Sequence, residues 1–300
     1  MPKFEEELLN VTHSLSQPLE EEERMIPCCA GHFPTIDGLN EMMDLIQIVF
    51  FPDFFDKQRS NPSMRKYFVG VNVEKIAAIL YREILHALRF NDNGCEEGGE
   101  EIADGLTARF MKSLSAIKRV IYTDVEAVFN NDPAVNDYGE VVLCYPAVRA
   151  LLNYRVAHRL LELGVPVLPR MLTELAHSKT GIDINPGARI GNYFAIDHGT
   201  GIVIGETSII GNHCTLYQGV TLGARNFTVD SEGRPVNEPR HPILEDNVTV
   251  YSNASILGRI TVGHDSVIGG NVWLTSSVPP GSRILQRRAV STTFIDGAGI

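Results

Sequence analysis

Hydrophobic positions change period near residue 180, and the change divides the chain in two. Before it, Val73, Ile76, Leu80, Ile84 and Leu88 fall three or four apart, one face of an amphipathic helix, with Asn91 and Gly94 offering a stop. The same spacing runs from Glu100 to Asn130 and from Pro146 to Leu163, where Pro146 suits a first turn and Gly164 with Pro166 suits an end. Asp37 to Phe51 reads as one more helix, preceded by an extension with acidic runs at Glu5–Glu7 and Glu20–Glu23. From Asn91 to Glu101, three glycines set among acids predict a mobile loop. Residues 1–180 are thus expected to form an all-helical domain.

After residue 180 an aliphatic residue recurs at every sixth position: Ile184, Ile190, Ile196, Ile202; then Ile204, Ile210, Leu216, Leu222; then Leu244, Val250, Ile256, Val262, Ile268, Leu274. At this composition, six filled slots in a row arise by chance roughly once in 140 trials. Small or apolar residues usually follow four positions later, among them Ala188, Cys214, Val220 and Ala254, and glycine often follows one position later. A short extended segment and a turn per hexapeptide make one side of a triangular prism, and three hexapeptides, about 18 residues, close a coil. The aliphatic slots fill the interior, and stacked coils share parallel strand hydrogen bonds. The expected class is α+β, a helical domain followed by a parallel β-helix of hexapeptide repeats over 181–288. The repeat itself leaves the hand open; crossover rules alone favour right-handed connections.

Two departures from the period carry information. The phase slips by two between Ile202 and Ile204, just after Asp197-His198-Gly199-Thr200-Gly201, and a bend there re-aims side chains. Residues 224–242 hold no aliphatic at the expected spacing and are polar, which predicts a functional loop overhanging the site. Residues 289–300 read as a flexible, glycine-containing tail.

Composition narrows the function classes. Formal charge is -11, with Lys and Arg numbering 26 against 37 Asp and Glu, and the sequence pI is near 5.3. This excludes nucleic acid as the expected ligand, because phosphate affinity comes mainly from basic side chains. No apolar run reaches the roughly 20 residues of a membrane helix, and the acidic start is unlike a signal or transit peptide. A cytoplasmic location is expected. Cys28, Cys29, Cys95, Cys144 and Cys214 have neither zinc spacing nor a redox-pair context and read as plain thiols. Cys214, four positions after Ile210, is expected to point into the prism as inert filling rather than to act as an acyl acceptor.

Ile182-Asp183-Ile184-Asn185-Pro186, Asp197-His198-Gly199-Thr200-Gly201-Ile202-Val203-Ile204-Gly205-Glu206-Thr207, Gln218-Gly219-Val220-Thr221-Leu222-Gly223 and Arg240-His241-Pro242 resemble, in order and spacing, the serine O-acetyltransferases among hexapeptide-repeat acyltransferases. Asp132-Pro133-Ala134 and Tyr154-Arg155-Val156-Ala157-His158 extend the likeness, which is strong over residues 130–290 and loose before them. The resemblance implies a left-handed β-helix and transfer of the acetyl group of acetyl-CoA to the hydroxyl of L-serine, the first step of cysteine biosynthesis, with no metal. A serine hydroxyl is a poor nucleophile while protonated, so its attack needs a base, and the imidazole of His198 is the candidate. The resemblance assigns Asp183 to the other ring nitrogen. Fifteen residues before His198, it lies a little under one coil away, so adjacent coils can make the two neighbours.

Resemblance also assigns Asp132 and Asp197 to the substrate ammonium, and Arg240 with His241 to its carboxylate, for which a bidentate guanidinium is the geometric match. Acetyl-CoA is expected near Gly223, Ala224 and Ala254, mainly through backbone groups, with Arg283, Arg287 and Arg288 as a basic cluster for its phosphates. Tyr251-Ser252-Asn253-Ala254 and Gly270-Asn271-Val272-Trp273 depart from the smaller, glycine-rich sequence of better-known relatives. Further expectations from the resemblance are cysteine as feedback inhibitor, a homotrimer or a hexamer of two trimers, and O-acetylserine sulfhydrylase bound through a tail ending in Ile300.

Two other readings compete. A metalloenzyme would use His198, His213, His241 and His264, which all lie on or beside the prism. An acetyltransferase for another hydroxyl or amine acceptor would share the base but would not need Asp132, Asp197 and Arg240 as an amino-acid clamp.

Overall fold

The structure is a computed structural model describing residues 3–19, 21–22, 33–55, 62–91, 98–226, 228–234 and 236–286. Cys28, Cys29, Cys95, most of the Asn91–Glu101 run, Arg287, Arg288 and the tail to Ile300 lie outside the described residues. Within them the helices are α1 Lys3–Leu15, α2 Ile36–Phe50, α3 Pro52–Phe55, α4 Pro62–Asn91, α5 Gly99–Asn131, α6 Tyr138–Cys144, α7 Pro146–Glu162 and α8 Leu168–Thr180. The expected helices reappear as α2, α4, α5 and α7, and Ile76, Leu80 and Ile84 of α4 are fully buried. Pro146 does open α7. Helix α1 leaves Phe4, Leu8, Val11 and Leu15 exposed along one side. None of these helices is long and apolar enough to cross a membrane.

Helix α2 starts where Thr35 accepts a hydrogen bond from the Gly38 amide at 3.2 Å. Beneath this cap lies the wholly buried Glu83 of α4, which accepts from the Thr35 amide at 2.7 Å and is paired with Arg82 at 2.9 Å. A Cβ at position 38 would stand 2.4 Å from Glu83 Oε1, so any larger residue would have to displace this carboxylate from the cap. Helix α8 stops at Gly181, whose φ of 70° redirects the chain into the first coil.

Three side chains of α7 fasten the helices to that coil. Arg155 donates to both oxygens of Asp124 on α5, each at 3.0 Å, and also to the carbonyls of Ile190 at 2.5 Å and Gly191 at 2.6 Å. The second Asp124 interaction is with the Phe194 amide, which donates at 3.1 Å. Tyr154 donates its hydroxyl to Ala188 O at 2.6 Å, and His158 Nδ1 donates to Pro186 O at 2.7 Å. The Tyr154–His158 motif therefore reads, physically, as the seam between helices and solenoid, and the buried cores on its two sides are continuous.

The solenoid comprises strands of two or three residues: β1 Asp183–Ile184, β2 Arg189–Ile190, β3 Ala195–Asp197, β4 Val203–Ile204, β5 Ile209–Ile210, β6 Thr215–Tyr217, β7 Thr221–Gly223, β8 Ile243–Leu244, β9 Thr249–Val250, β10 Ser255–Leu257, β11 Thr261–Val262, β12 Val267–Ile268, β13 Trp273–Leu274 and β14 Arg283–Ile284. All pairings are parallel and form three faces, β1-β4-β7-β10-β13, β2-β5-β8-β11 and β3-β6-β9-β12-β14. The six-spaced residues fill the interior, Ile190 alone remaining partly buried. Cys214 is fully buried, its thiol donating to Glu245 O at 3.1 Å and pushed up to about 11 by burial, which is the inert filling expected.

Register locates both departures from the period. Asp183 pairs with Val203, 20 positions on, whereas Val203 pairs with Thr221 after 18. The two additional residues sit in the turn between β3 and β4, which carries His198. Thr221 pairs with Ser255 after 34, so residues 224–242 leave the prism as an excursion between β7 and β8 without disturbing the stack.

Candidate active site

Strand β3 delivers Asp197 to a prism corner, and His198 follows with φ of 56°. Left-handed residues recur at regular turn positions elsewhere: Tyr193, His213, Asn247, Asp265 and Gly281 stack in one corner, Gly201, Gly219, Asn253 and Asn271 in another. His198 and Gly199 belong to neither column and arise from the two-residue insertion. A side chain held in this region without the repeat demanding it is a mark of function. Gly199, at φ 89°, lies so close beneath the turn that a Cβ would meet Ile182 Cδ1 at 2.6 Å.

The ring of His198 is 76 % exposed, with Nε2 3.9 Å from Asp197 Oδ1. It lines a cavity of about 290 Å³ together with Asp132, Cys144, Tyr145, Ile196 and Asp197. Asp132 enters from the end of α5. Its Oδ1 accepts from the Ala134 amide at 2.8 Å and its Oδ2 from the Tyr145 hydroxyl at 2.5 Å. The Tyr145 bond, reinforced by that amide, holds the Asp132 carboxyl below its ordinary range; the same bond pushes the Tyr145 phenol up to about 12. The cavity therefore offers two carboxylates and one imidazole in reach of a small cation with a hydroxyl.

Asp183 differs from expectation. It lies on the coil under the His198 turn, where Gly201 N donates to Gly181 O at 2.8 Å, but it makes no hydrogen bond to the ring. Its Oδ1 stands 3.8 Å from Arg170 Nη1 of α8, beside Glu174 and His177. The inserted turn swings the imidazole outward, and the guanidinium attracts the carboxylate instead.

Arg240 and His241 also lie elsewhere. Arg240 Nη2 donates to Glu206 Oε2 at 2.7 Å, and the backbone amides of both residues donate to Thr207 Oγ1 at 2.9 and 3.0 Å. His241 Nδ1 accepts from the Thr207 amide at 3.1 Å, and burial, then the adjacent Arg240, holds this imidazole below its usual value. They flank a second cavity, about 360 Å³, at the corner carrying Glu206, Thr207, Glu238 and Arg259. One chain thus presents the two halves of the expected amino-acid clamp at separate corners. The 224–242 excursion contributes Asn237, Glu238 and Pro239 to this second cavity and does not overhang His198.

Of the residues expected to meet acetyl-CoA, Ala254 is interior and fully buried, its carbonyl accepting from the Thr221 amide at 2.9 Å and its amide donating to Tyr251 O at 3.3 Å, so it offers no contact. Gly223 and Ala224 are part-exposed where β7 leaves the prism, and Arg283 is exposed on β14. The four histidines of the metal reading do not converge: His213 stacks on Tyr193 at 4.5 Å, His264 pairs with Asp265 at 2.7 Å, and His198 and His241 occupy different corners. Tyr145, Glu206 and Thr207 were not singled out by sequence reasoning.

A helical cap clamped onto a β-helix of six-residue repeats, with an exposed imidazole at an inserted turn, defines a hexapeptide-repeat acyltransferase. The plasmid-encoded serine acetyltransferase of Synechococcus elongatus is 43 % identical over 274 residues, covering 89 % of this chain and 86 % of that protein. That of Bacillus subtilis is 41 % identical over 167 residues, 56 % of this chain and 73 % of that one. Among solved structures, Entamoeba histolytica serine acetyltransferase 1 in complex with L-cysteine superposes with a TM-score of 0.71 at 35 % identity, covering 81 % of this chain and 86 % of that one. The isoform 3 complex with cysteine from the same organism gives 0.71 at 31 % identity, with 85 % and 84 % covered. No family model matches. The chain belongs to the serine acetyltransferase family, and its activity is acetyl transfer to the serine hydroxyl in cysteine biosynthesis.

Proposed function

We propose that His198 is the general base of this reaction and that Asp132 and Asp197 take the serine ammonium. The observation that carries the reading is the strained, exposed His198 in the one cavity that also holds both carboxylates. His198 removes the hydroxyl proton as the serine oxygen attacks the thioester carbonyl of acetyl-CoA; the carbon–sulfur bond then breaks and the imidazolium returns the proton to the leaving thiolate. Asp183, one coil below, orients the imidazolium once substrate draws the ring inward. Gly223, Ala224 and Arg283 meet the CoA moiety, Arg287 and Arg288 continuing the basic cluster.

The substrate carboxylate needs Arg240 and His241, which one chain holds at another corner. A trimer, alone or doubled into a hexamer, meets this need if a neighbouring copy presents its Arg240 to the His198 cavity. Cysteine, which shares the ammonium and carboxylate of serine, is the feedback inhibitor at the same cavity; the bound cysteine of the Entamoeba relatives supports this. O-acetylserine sulfhydrylase, binding the tail at Ile300, is the expected partner, and the cytoplasm, where Cys144 and Cys214 stay reduced, is the expected compartment.

The test follows CoA release from acetyl-CoA with L-serine. His198→Ala is expected to lower kcat by about 10² to 10⁴ while leaving the melting temperature unchanged. Asp183→Asn is expected to fall by a smaller factor. Near-full activity in His198→Ala overturns the assignment.

A further inference from the structure

Tyr145 closes α6 and immediately precedes Pro146 of α7, so its ring stands at the junction of two helices and on the wall of the His198 cavity. Its hydroxyl reaches Asp132 Oδ2 at 2.5 Å, thirteen residues upstream, while the Ala134 amide engages the other oxygen at 2.8 Å. Asp132 follows the last turn of α5, and its two carboxylate oxygens are fixed by these donors. A carboxylate bound at both oxygens loses the rotation that would otherwise average its direction, and a phenol donor leaves lone pairs free for a cation.

We propose that Tyr145 is a positioning residue for the acceptor: its hydroxyl fixes the Asp132 carboxylate to receive an α-ammonium, and so sets the preference for an amino alcohol over the same alcohol lacking the amine. The inference rests on the reading of Asp132 as an ammonium contact. The phenol serves as a lasting donor, because its own ionisation is pushed up to about 12 and it keeps its proton across the working range. The carboxyl it binds is correspondingly held in the charged form that attracts the amine. Tyr145→Phe removes only the hydroxyl, leaving the ring and the backbone caps of α6 and α7 as they are.

The experiment uses the full chain and compares L-serine with 3-hydroxypropanoate, which is serine without its amine, as acceptor or as competitor against serine. For Tyr145→Phe the KM for serine is expected to rise about tenfold, the range of a charge-assisted hydrogen bond, with kcat at saturating serine and the KM for acetyl-CoA unchanged. Affinity for 3-hydroxypropanoate should stay within twofold of the parent. Asp132→Asn is expected to lose at least as much preference for serine, and the double variant no more than Asp132→Asn alone. Equal weakening of both ligands in Tyr145→Phe, or no change while Asp132→Asn loses the preference, overturns the role of Tyr145. An unchanged preference in Asp132→Asn overturns the ammonium reading itself, and with it the inference.

Discussion

At the scale of single residues, the turn at His198 stores strain that the solenoid does not require. A non-glycine residue in the left-handed region costs on the order of 1–3 kcal/mol and persists where its surroundings over-determine it. Here Gly199 does so, pressed against Ile182. Gly199→Ala adds a Cβ to a φ of 89° and a 2.6 Å contact, so it is expected to cost about 1–3 kcal/mol and to lower kcat at least tenfold by displacing the imidazole. Thermal melting and CoA release read the two effects separately; an active but destabilised variant would uncouple turn geometry from catalysis. His198 was legible in the sequence because the two-residue phase slip falls beside it. The surroundings of Asp183 were not, since Arg170 comes from a helix that shows no distinct signal of its own. Tyr145 was hidden by position: Pro146 already explained that stretch as a helix start, and no spacing links a phenol to a carboxylate thirteen residues earlier.

At the scale of elements, periodicity was the reliable guide and length its limit. The six-residue spacing identified strands too short to show any β-pattern alone, because each slot is repeated coil after coil. Helix α6, with seven residues, completes too few turns to declare a period, yet it brings Tyr145 to the cavity. At the centre of the seam between helices and prism lies a buried ion pair, Arg155 with Asp124, whose side chains are 9 % and 2 % exposed and which also bind the backbone of Ile190, Gly191 and Phe194. Breaking such a pair leaves a buried charge unpartnered, which typically costs 3–5 kcal/mol. Asp124→Asn should therefore lower the denaturation midpoint strongly, and Asp124→Leu combined with Arg155→Met should not restore it, because the Ile190 and Gly191 carbonyls and the Phe194 amide lose their side-chain partners as well. Denaturant unfolding of both variants checks this, and a single variant as stable as the parent would show that Tyr154, His158 and the apolar core hold the seam without the ion pair.

At the scale of the whole molecule, the separation of the two clamp halves turns the proposed assembly into a testable statement about the chemistry. His198, Asp132 and Asp197 lie at one corner and Arg240 with His241 at another, so in the cyclic trimer proposed above each centre would draw its base from one copy and its guanidinium from the next. This arrangement predicts complementation between two variants that are each inactive. In assemblies formed by co-expressing His198→Ala and Arg240→Ala in equal amounts, a centre works only when its base comes from an Arg240→Ala copy and its guanidinium from a His198→Ala copy. Random mixing satisfies both conditions in about a quarter of centres, so roughly a quarter of the parent rate should return. Were both halves supplied by the same copy, every centre would carry one lesion or the other and the mixed assembly would stay as inactive as its parents.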